Sequence, residues 1–432
     1  MKTSSPLKTF WKNRRFTIVL AMLTTVTWWA AASWPWLLGK IGISDYGTPY
    51  LDSYAILAAL DAYRAGADVH AANALDPLFR GHVYSDWWLG LRWLGLTRAD
   101  NFMVGTTWVA AFGVTVWATV RPKRLFEAIW MLLILDSPVV LLALKRANND
   151  LLIFVLLAGC ALVASSPAWW RWLVAIVCLS LATGLKYFPA PVALAYLWIR
   201  PIRRTPAAFL AALLAVCGAM AGIWTQVDRA RFVVGSGVYT MGAPLLLRDL
   251  GWQDNVSAIP GLVLILAAGL TLALTRTTTG LLKEGEPSER MRAAIGSIVL
   301  LTCFTVGVNY SYRWIFIVWP AAWLVRRSAD RLLPFGQRWV ARWACALIAA
   351  CLWSDGIFCF YVNVRPAVTE RNLGQMQYVL RLWIQPLNWL LMFLIAGWLI
   401  EAGLSTVCEW WSARAELRPT VTPRSADGNR RC

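Results

Sequence analysis

Apolar runs of about 20 residues recur along this chain from one end to the other, joined by short polar links. About 20 helical residues rising 1.5 Å each cross a hydrocarbon core of roughly 30 Å. Inside that core each backbone N–H and C=O must find a partner within the protein, which favours helices. The expected fold is therefore an all-α polytopic membrane protein. Composition agrees: 59% of the 432 residues are hydrophobic and 15% are charged, against roughly 25% charged in a soluble domain. The 28 tryptophans suit bilayer interfaces, where tryptophan gathers.

Charge placement sets the expected topology. Lys2, Lys8, Lys12, Arg14 and Arg15 precede the apolar stretch 16–38. That stretch is longer than a signal-peptide core and lacks a small-residue cleavage site, so it reads as a retained first helix. The positive-inside rule then puts residues 1–15 in the cytoplasm. Alternation sends the links holding Arg121, Lys123 and Arg124, then Arg171, Arg203 and Arg204, Lys283 and Arg292, and Arg326 and Arg327 to the same side. The reading is about twelve transmembrane helices in one integral-membrane domain, residues 16–403. Residues 39–100 form a long first extracytoplasmic loop, with short interfacial helices at 52–65 and 86–96. Residues 404–432 form a basic, disordered cytoplasmic tail. The stretches 151–163 and 190–199 are short for a crossing and imply tilted or broken helices. No internal repeat is visible. The expected location is a bacterial inner membrane with the polar clusters outside the cytoplasm.

The net charge of +18 does not point to nucleic acid, because the basic residues are dispersed among membrane links and build no separate domain. The nine cysteines avoid the long loop and no pair has metal-ligand spacing, so neither disulfides nor a zinc site is expected. His70 and His82 follow no ligand motif, and no metal or other cofactor is expected.

Chemistry is expected where charge interrupts apolar sequence, since an ionised group at mid-bilayer costs about 2.5–3.5 kcal/mol on insertion scales. Lys145, Arg146, Asn148, Asn149 and Asp150 fall between two apolar runs, Lys186 precedes Tyr-Phe-Pro, and Asn309, Tyr310, Tyr312 and Arg313 repeat the pattern. By topology all three clusters share the outer side with the loop's carboxylates, Asp45, Asp52, Asp61, Asp68, Asp76, Asp86 and Asp100. Cations suit a lipid phosphate, which arginine grips with paired hydrogen bonds, and a carboxylate can serve as a general base on a hydroxyl. The combination predicts sugar transfer from a polyprenyl-phosphate donor. Bland readings stand beside it. Asp61, Asp68 and Asp86 also fit solvated or helix-capping acids, Asp76 a turn before Pro77, Arg146 and Arg313 snorkelling cations, and Tyr310 and Tyr312 an interfacial belt. Asp136 either lines a cavity or caps a broken helix.

Across residues 40–320 the chain resembles the GT-C superfamily of membrane glycosyltransferases, nearest the bacterial branch that includes phosphatidylinositol-mannoside mannosyltransferases. The pieces are Pro-Tyr-Leu-Asp52-Ser-Tyr, Ala-Gly-Ala-Asp68, Asp76-Pro77 with Arg80, Tyr84 and Trp88, Ser137-Pro138, Arg146-Ala-Asn-Asn-Asp150, Leu-Lys186-Tyr-Phe-Pro and Asn309-Tyr-Ser-Tyr-Arg313. The resemblance implies an inverting hexosyl or pentosyl transfer, possible mannosyl transfer included, to an extracytoplasmic glycan or lipid acceptor. It implies Asp52 as the base, with Asp45 second. Arg146, Lys186 and Arg313 are expected on the donor phosphate. Asp76, Arg80, Tyr84, Asn148, Asn149, Asp150, Asn309 and Tyr312 are expected around the sugar or acceptor. One departure stands out: members of the family often carry Glu-Arg-Gly-Asn where this chain has Lys145-Arg-Ala-Asn, a reversal of charge beside the site. The rival classes are a transporter or flippase of lipid-linked saccharides, a polysaccharide polymerase or ligase, and a non-catalytic envelope subunit.

Overall fold

A computed structural model describes residues 6–165, 168–198, 206–230, 238–251, 258–278, 280–282, 285–364 and 370–416. It is helical almost throughout. The helices are α1 (Pro6–Ser33), α2 (Pro35–Lys40), α3 (Leu51–Arg64), α4 (Asn101–Thr119), α5 (Leu125–Leu135), α6 (Pro138–Lys145), α7 (Asp150–Cys160) and α8 (Trp169–Leu185). They continue with α9 (Pro206–Ala230), α10 (Ala243–Asp249), α11 (Ala258–Leu274), α12 (Pro287–Val306), α13 (Val318–Ser328), α14 (Phe335–Val364) and α15 (Glu370–Glu416). Among the described residues the strands are two short ones, β1 (Thr240–Met241) and β2 (Asn309–Tyr310), paired antiparallel with Thr240 opposite Tyr310.

Among the described residues four helical stretches are long and apolar enough to cross a membrane: Arg14–Ser33, Arg98–Thr119, Phe335–Val364 and Met376–Cys408. A fifth crossing forms if α5 and α6 act as one span bent by 55°. The bend has a local cause. Ser137 and Pro138 follow Leu135, proline cannot continue the hydrogen-bond ladder, and it starts α6 at the first helical position instead. Asp136 sits at the break and accepts a hydrogen bond from Thr27 Oγ1 at 2.7 Å.

The short apolar stretches do break. Helix α7 gives way to a 3₁₀ turn over Ala161–Ser165, and the stretch from Ala190 to Trp198 is 3₁₀ throughout. The chain after β2 enters α13 through another 3₁₀ turn, Ser311–Ile317. Helix α15 starts well before the expected crossing at 386–400 and accommodates Pro386 internally. It also runs to Glu416, so residues 404–416 of the expected disordered tail are helical, and residues 417–432 lie outside those described.

The first loop is folded. Helix α3 and the 3₁₀ turn Asp86–Leu94 occupy the two stretches with helical spacing. Ile56, Leu57, Leu60, Trp88, Leu89 and Trp108 bury one another between the loop and α4. Each such side chain contributes roughly 1.5–3 kcal/mol of burial. The loop also docks on the end of α8: Ser85 Oγ donates to Gly184 O at 2.5 Å, and Trp88 Nε1 to Leu185 O at 3.3 Å. The Trp87 ring lies where a Cβ on Gly184 would fall, 2.3 Å from its atoms.

These connections give the bundle two polar ends. The start of α3, the turns after α6 and α8, and the turn after β2 lie at one end. The spans α4, α5–α6 and α13 carry the chain to or from the other end, which holds Arg121, Arg124, Glu127, Glu289 and Arg326.

Candidate functional site

Asp52 occupies the first turn of α3, where a carboxylate is favoured by the unpaired N–H groups and the helix dipole. Tyr50, just before it, is left-handed with φ 57°. The Asp52 N–H donates to the Arg146 carbonyl at 2.9 Å, which ties the start of α3 to the turn after α6. Ser53 Oγ donates to Asn101 Oδ1 at 2.6 Å, tying the same turn to α4. The side chain is 1% exposed.

Its carboxylate is fully engaged. Arg146 grips it with two bonds, Nε to Oδ2 at 2.9 Å and Nη2 to Oδ1 at 2.7 Å. Asn148 Nδ2 donates to Oδ2 at 2.6 Å and Arg80 Nη1 to Oδ1 at 3.3 Å. Burial alone would raise the pKa. The charge of Arg146, its hydrogen bonds and the charge of Arg80 outweigh burial and lower the Asp52 pKa to about 2.

Arg80 bridges two acids. Its Nε and Nη2 donate to Asp76 at 3.1 and 2.9 Å, and Nη2 also donates to Leu51 O at 3.1 Å. Asp76 accepts the Leu78 N–H at 2.8 Å, so it forms the turn before Pro77 and also holds Arg80.

Arg146 is aimed by the turn after α6, where Ala147 is left-handed at φ 39° and Asn148 Oδ1 accepts the Asp150 N–H at 2.9 Å. That bond starts α7. Asp150 is fully buried and meets two cations from distant segments: Lys186 Nζ, and Arg313 Nε at 3.7 Å. Arg313 Nη1 also donates to Asn309 Oδ1. Aromatic faces complete the wall. The Tyr310 ring lies 5.7 Å from the Arg146 guanidinium and stacks on Tyr312 at 5.4 Å, while Tyr84 lies 5.7 Å from Lys186 Nζ and Phe188 4.9 Å from the Arg313 guanidinium. Asn149 is fully buried, and its side-chain amide has no hydrogen-bond partner among the described residues.

One connected site therefore holds Asp52, Asp76, Arg80, Tyr84, Arg146, Asn148, Asp150, Lys186, Asn309, Tyr312 and Arg313. Arg80, Arg146, Lys186 and Arg313 face the carboxylates Asp52, Asp76 and Asp150. These four cations outnumber the three carboxylates by one. Asp45 stands apart from this cluster: it is exposed at the rim and pairs with Lys145 Nζ at 3.4 Å. Lys145 thereby points its charge at Asp45 and leaves Arg146 to Asp52.

The histidines are framework. His70 Nδ1 meets His82 O at 3.0 Å, and His82 Nε2 meets Ser85 O at 3.2 Å. Burial lowers the His82 pKa from 6.5 to about 4. Asp61 is engaged by Arg98 Nε at 2.8 Å, and Asp68 accepts the His70 N–H at 2.9 Å. Among the described residues no three His, Cys, Asp or Glu side chains gather as a metal would require.

Sequence reasoning missed Asp355. It is 9% exposed on α14 and accepts from Ser311 Oγ at 3.5 Å, next to Tyr312 and Arg313. With Thr240, Gln377, Arg381 and Gln385 it lines a small cavity of about 30 Å³. The signal was a lone charge within an apolar run, the same one that singled out the other clusters. No protein-family model, curated protein or solved structure matches the chain.

Proposed function

We propose that the chain is a GT-C-type glycosyltransferase that moves a hexosyl or pentosyl group, with mannosyl as one such group, from a polyprenyl-phosphate donor to a glycan or lipid acceptor. The reaction takes place outside the cytoplasm of a bacterial inner membrane, in a fold of about twelve crossings with both termini inside. The observation that carries the reading is the buried Asp52 carboxylate shared between Arg146 and Arg80, at the start of an outer-loop helix and beside a second cation pair, Lys186 and Arg313.

In the proposed reaction the acceptor oxygen attacks the anomeric carbon and the bond from that carbon to the phosphate oxygen breaks. Attack comes from the face opposite the leaving phosphate and inverts the centre. The electron pair of the broken bond stays with polyprenyl phosphate, which gains a second negative charge. The acceptor proton goes to Asp52. As held here Asp52 is a feeble base, because base strength follows pKa. The donor phosphate supplies the remedy, since it competes for the same guanidinium groups. Arg146 and Arg80 turning toward it leave Asp52 less stabilised as an anion and more basic. As Asp52 takes the proton, Arg146 is free to meet the new charge on the phosphate, a term stronger in the transition state than in the ground state. Asn148, Asn149 and Asn309 are the neutral groups assigned to sugar hydroxyls.

Transport of a lipid-linked saccharide is the second reading. The observation favouring it is the bent α5–α6 pair with Asp136 at the break, a feature transporters use. Purified protein in liposomes loaded with radiolabelled polyprenyl-phosphate sugars separates the two. Transfer gives a covalent glycosylated product and free polyprenyl phosphate, whereas transport moves intact donor across the bilayer. Appearance of intact donor alone contradicts the enzyme reading.

A further inference from the structure

The end of the bundle away from Asp52 holds an open groove of about 450 Å³ between the start of α5, the end of α13 and the first turns of α14. Its lining includes Arg124, Phe126, Trp130, Arg331 and Arg342. Arg124 Nη1 donates to Ala329 O at 3.2 Å, and the Arg342 guanidinium lies 5.7 Å from the Trp339 ring. No carboxylate is among the groove's lining residues, and the neighbouring Asp330 is engaged by Arg327 at 3.2 Å. Just beyond the arginines, Leu332, Phe335, Trp339 and Trp343 expose large apolar faces.

We propose that this groove binds the phosphate headgroup of an anionic phospholipid, with its acyl chains along Phe126, Trp130 and the neighbouring apolar faces. The charge argument comes first. Three arginines converge with no acid in the lining, and guanidinium groups pair with phosphate oxygens through two bonds each. Basic pockets between membrane helices at the inner face attract such headgroups. The aromatic side chains then decide between a lipid and a dissolved anion. Tryptophans at this level belong to the membrane–water boundary, and a small soluble anion would leave the apolar part of the groove unused. The groove lies at the opposite end of the α5–α6 span from Arg146, so this lipid is neither donor nor acceptor, and the inference does not depend on the transfer reading.

The test is native mass spectrometry of the full chain in detergent, titrated with phosphatidylglycerol or with phosphatidylcholine of the same acyl chains. Phosphatidylglycerol is expected to bind about tenfold more tightly or better, with about fivefold lost for each arginine replaced in R331Q, R342Q and R124Q/R331Q/R342Q. The single variants change exposed side chains, so they remain informative if the triple variant unfolds in lipid-free detergent. Equal binding of the two lipids overturns the proposal, as does unchanged phosphatidylglycerol affinity in the single variants. Displacement of phosphatidylglycerol by millimolar inorganic phosphate would assign the groove to a soluble anion and overturn it equally.

Discussion

Asp52 and Arg146 depend closely on each other, joined by two hydrogen bonds. A buried ion pair costs heavily to desolvate, and removing one partner leaves the other charge stranded. Arg146→Ala should therefore destabilise the protein by about 3–5 kcal/mol in detergent unfolding, and Asp52→Asn in the same background should recover part of that loss. Equal stability of wild type and Arg146→Ala would remove the pair from the fold's energetics. Acid should act on His82 and Asp52. The His82 pKa is lowered from 6.5 to about 4, so its neutral form is required in the folded state. The stability it contributes is complete above about 6.5 and is lost as pH falls through about 4. The Asp52 contribution is complete above 3.8 and is lost as pH falls through about 2. Unfolding followed from pH 7 to pH 4 should include the His82 loss, and His82→Gln should flatten that slope. At this scale the sequence was informative about charge, since Asp52, Arg146, Lys186 and Arg313 all interrupt or border apolar runs. It was silent on pairing. Nothing in the spacing of Arg80 and Asp52 foretells that they share a bond, because the reversal at Phe79, with φ 53°, brings them together.

The start of α3 is the element on which the site turns. Its position is fixed by Tyr50, whose ring is seated against Gly105 on α4. A Cβ at residue 105 would fall 2.3 Å from the Tyr50 ring. Gly105→Val should push Tyr50 out, shift Asp52 against Arg146 and lower turnover about a hundredfold, the scale expected for a 1 Å misplacement. The measurement is sugar transfer per folded molecule; activity within about twofold of wild type would detach α3 from the chemistry. Helix positions in the first loop could be read from apolar spacing, and both stretches are helical. The 3₁₀ character of the Ala161–Ser165 and Ala190–Trp198 stretches was visible only as spans too short to cross. Two-residue strands leave no periodicity to detect. The β1–β2 pairing depends instead on Gly242, with φ 149°, where a Cβ would strike Gly307 O at 2.4 Å.

Over the whole molecule, the bundle separates a pocket of paired charges at one end from an arginine-rich surface at the other. The positive-inside reading assigns the first to the outside and the second to the cytoplasm. A membrane-impermeant maleimide should label Asp45→Cys in intact cells and spare Arg331→Cys until the membrane is opened. The reverse pattern would invert the topology and with it the access of the donor. The all-helical membrane class was legible because the bilayer imposes a length and a composition on every span. Crossing count was less legible, because a helix such as α7 buries side chains against its neighbours and can be shorter than the hydrocarbon core. Asp355 escaped notice because its partners arrive from β1, the Ser311 turn and α15, which only tertiary packing brings together.

The central claim is that Asp52 takes the acceptor proton once the donor phosphate has drawn Arg146 and Arg80 away from it. The most direct measurement is single-turnover sugar transfer by purified Asp52→Asn, beside wild type, with saturating radiolabelled polyprenyl-phosphate sugar and donor binding followed in the same samples. Asparagine keeps the shape and loses the base, so transfer should fall by about 10²–10⁴. Donor binding should hold or tighten, because Arg146 and Arg80 no longer have a competing carboxylate. Transfer at the wild-type rate would contradict the account.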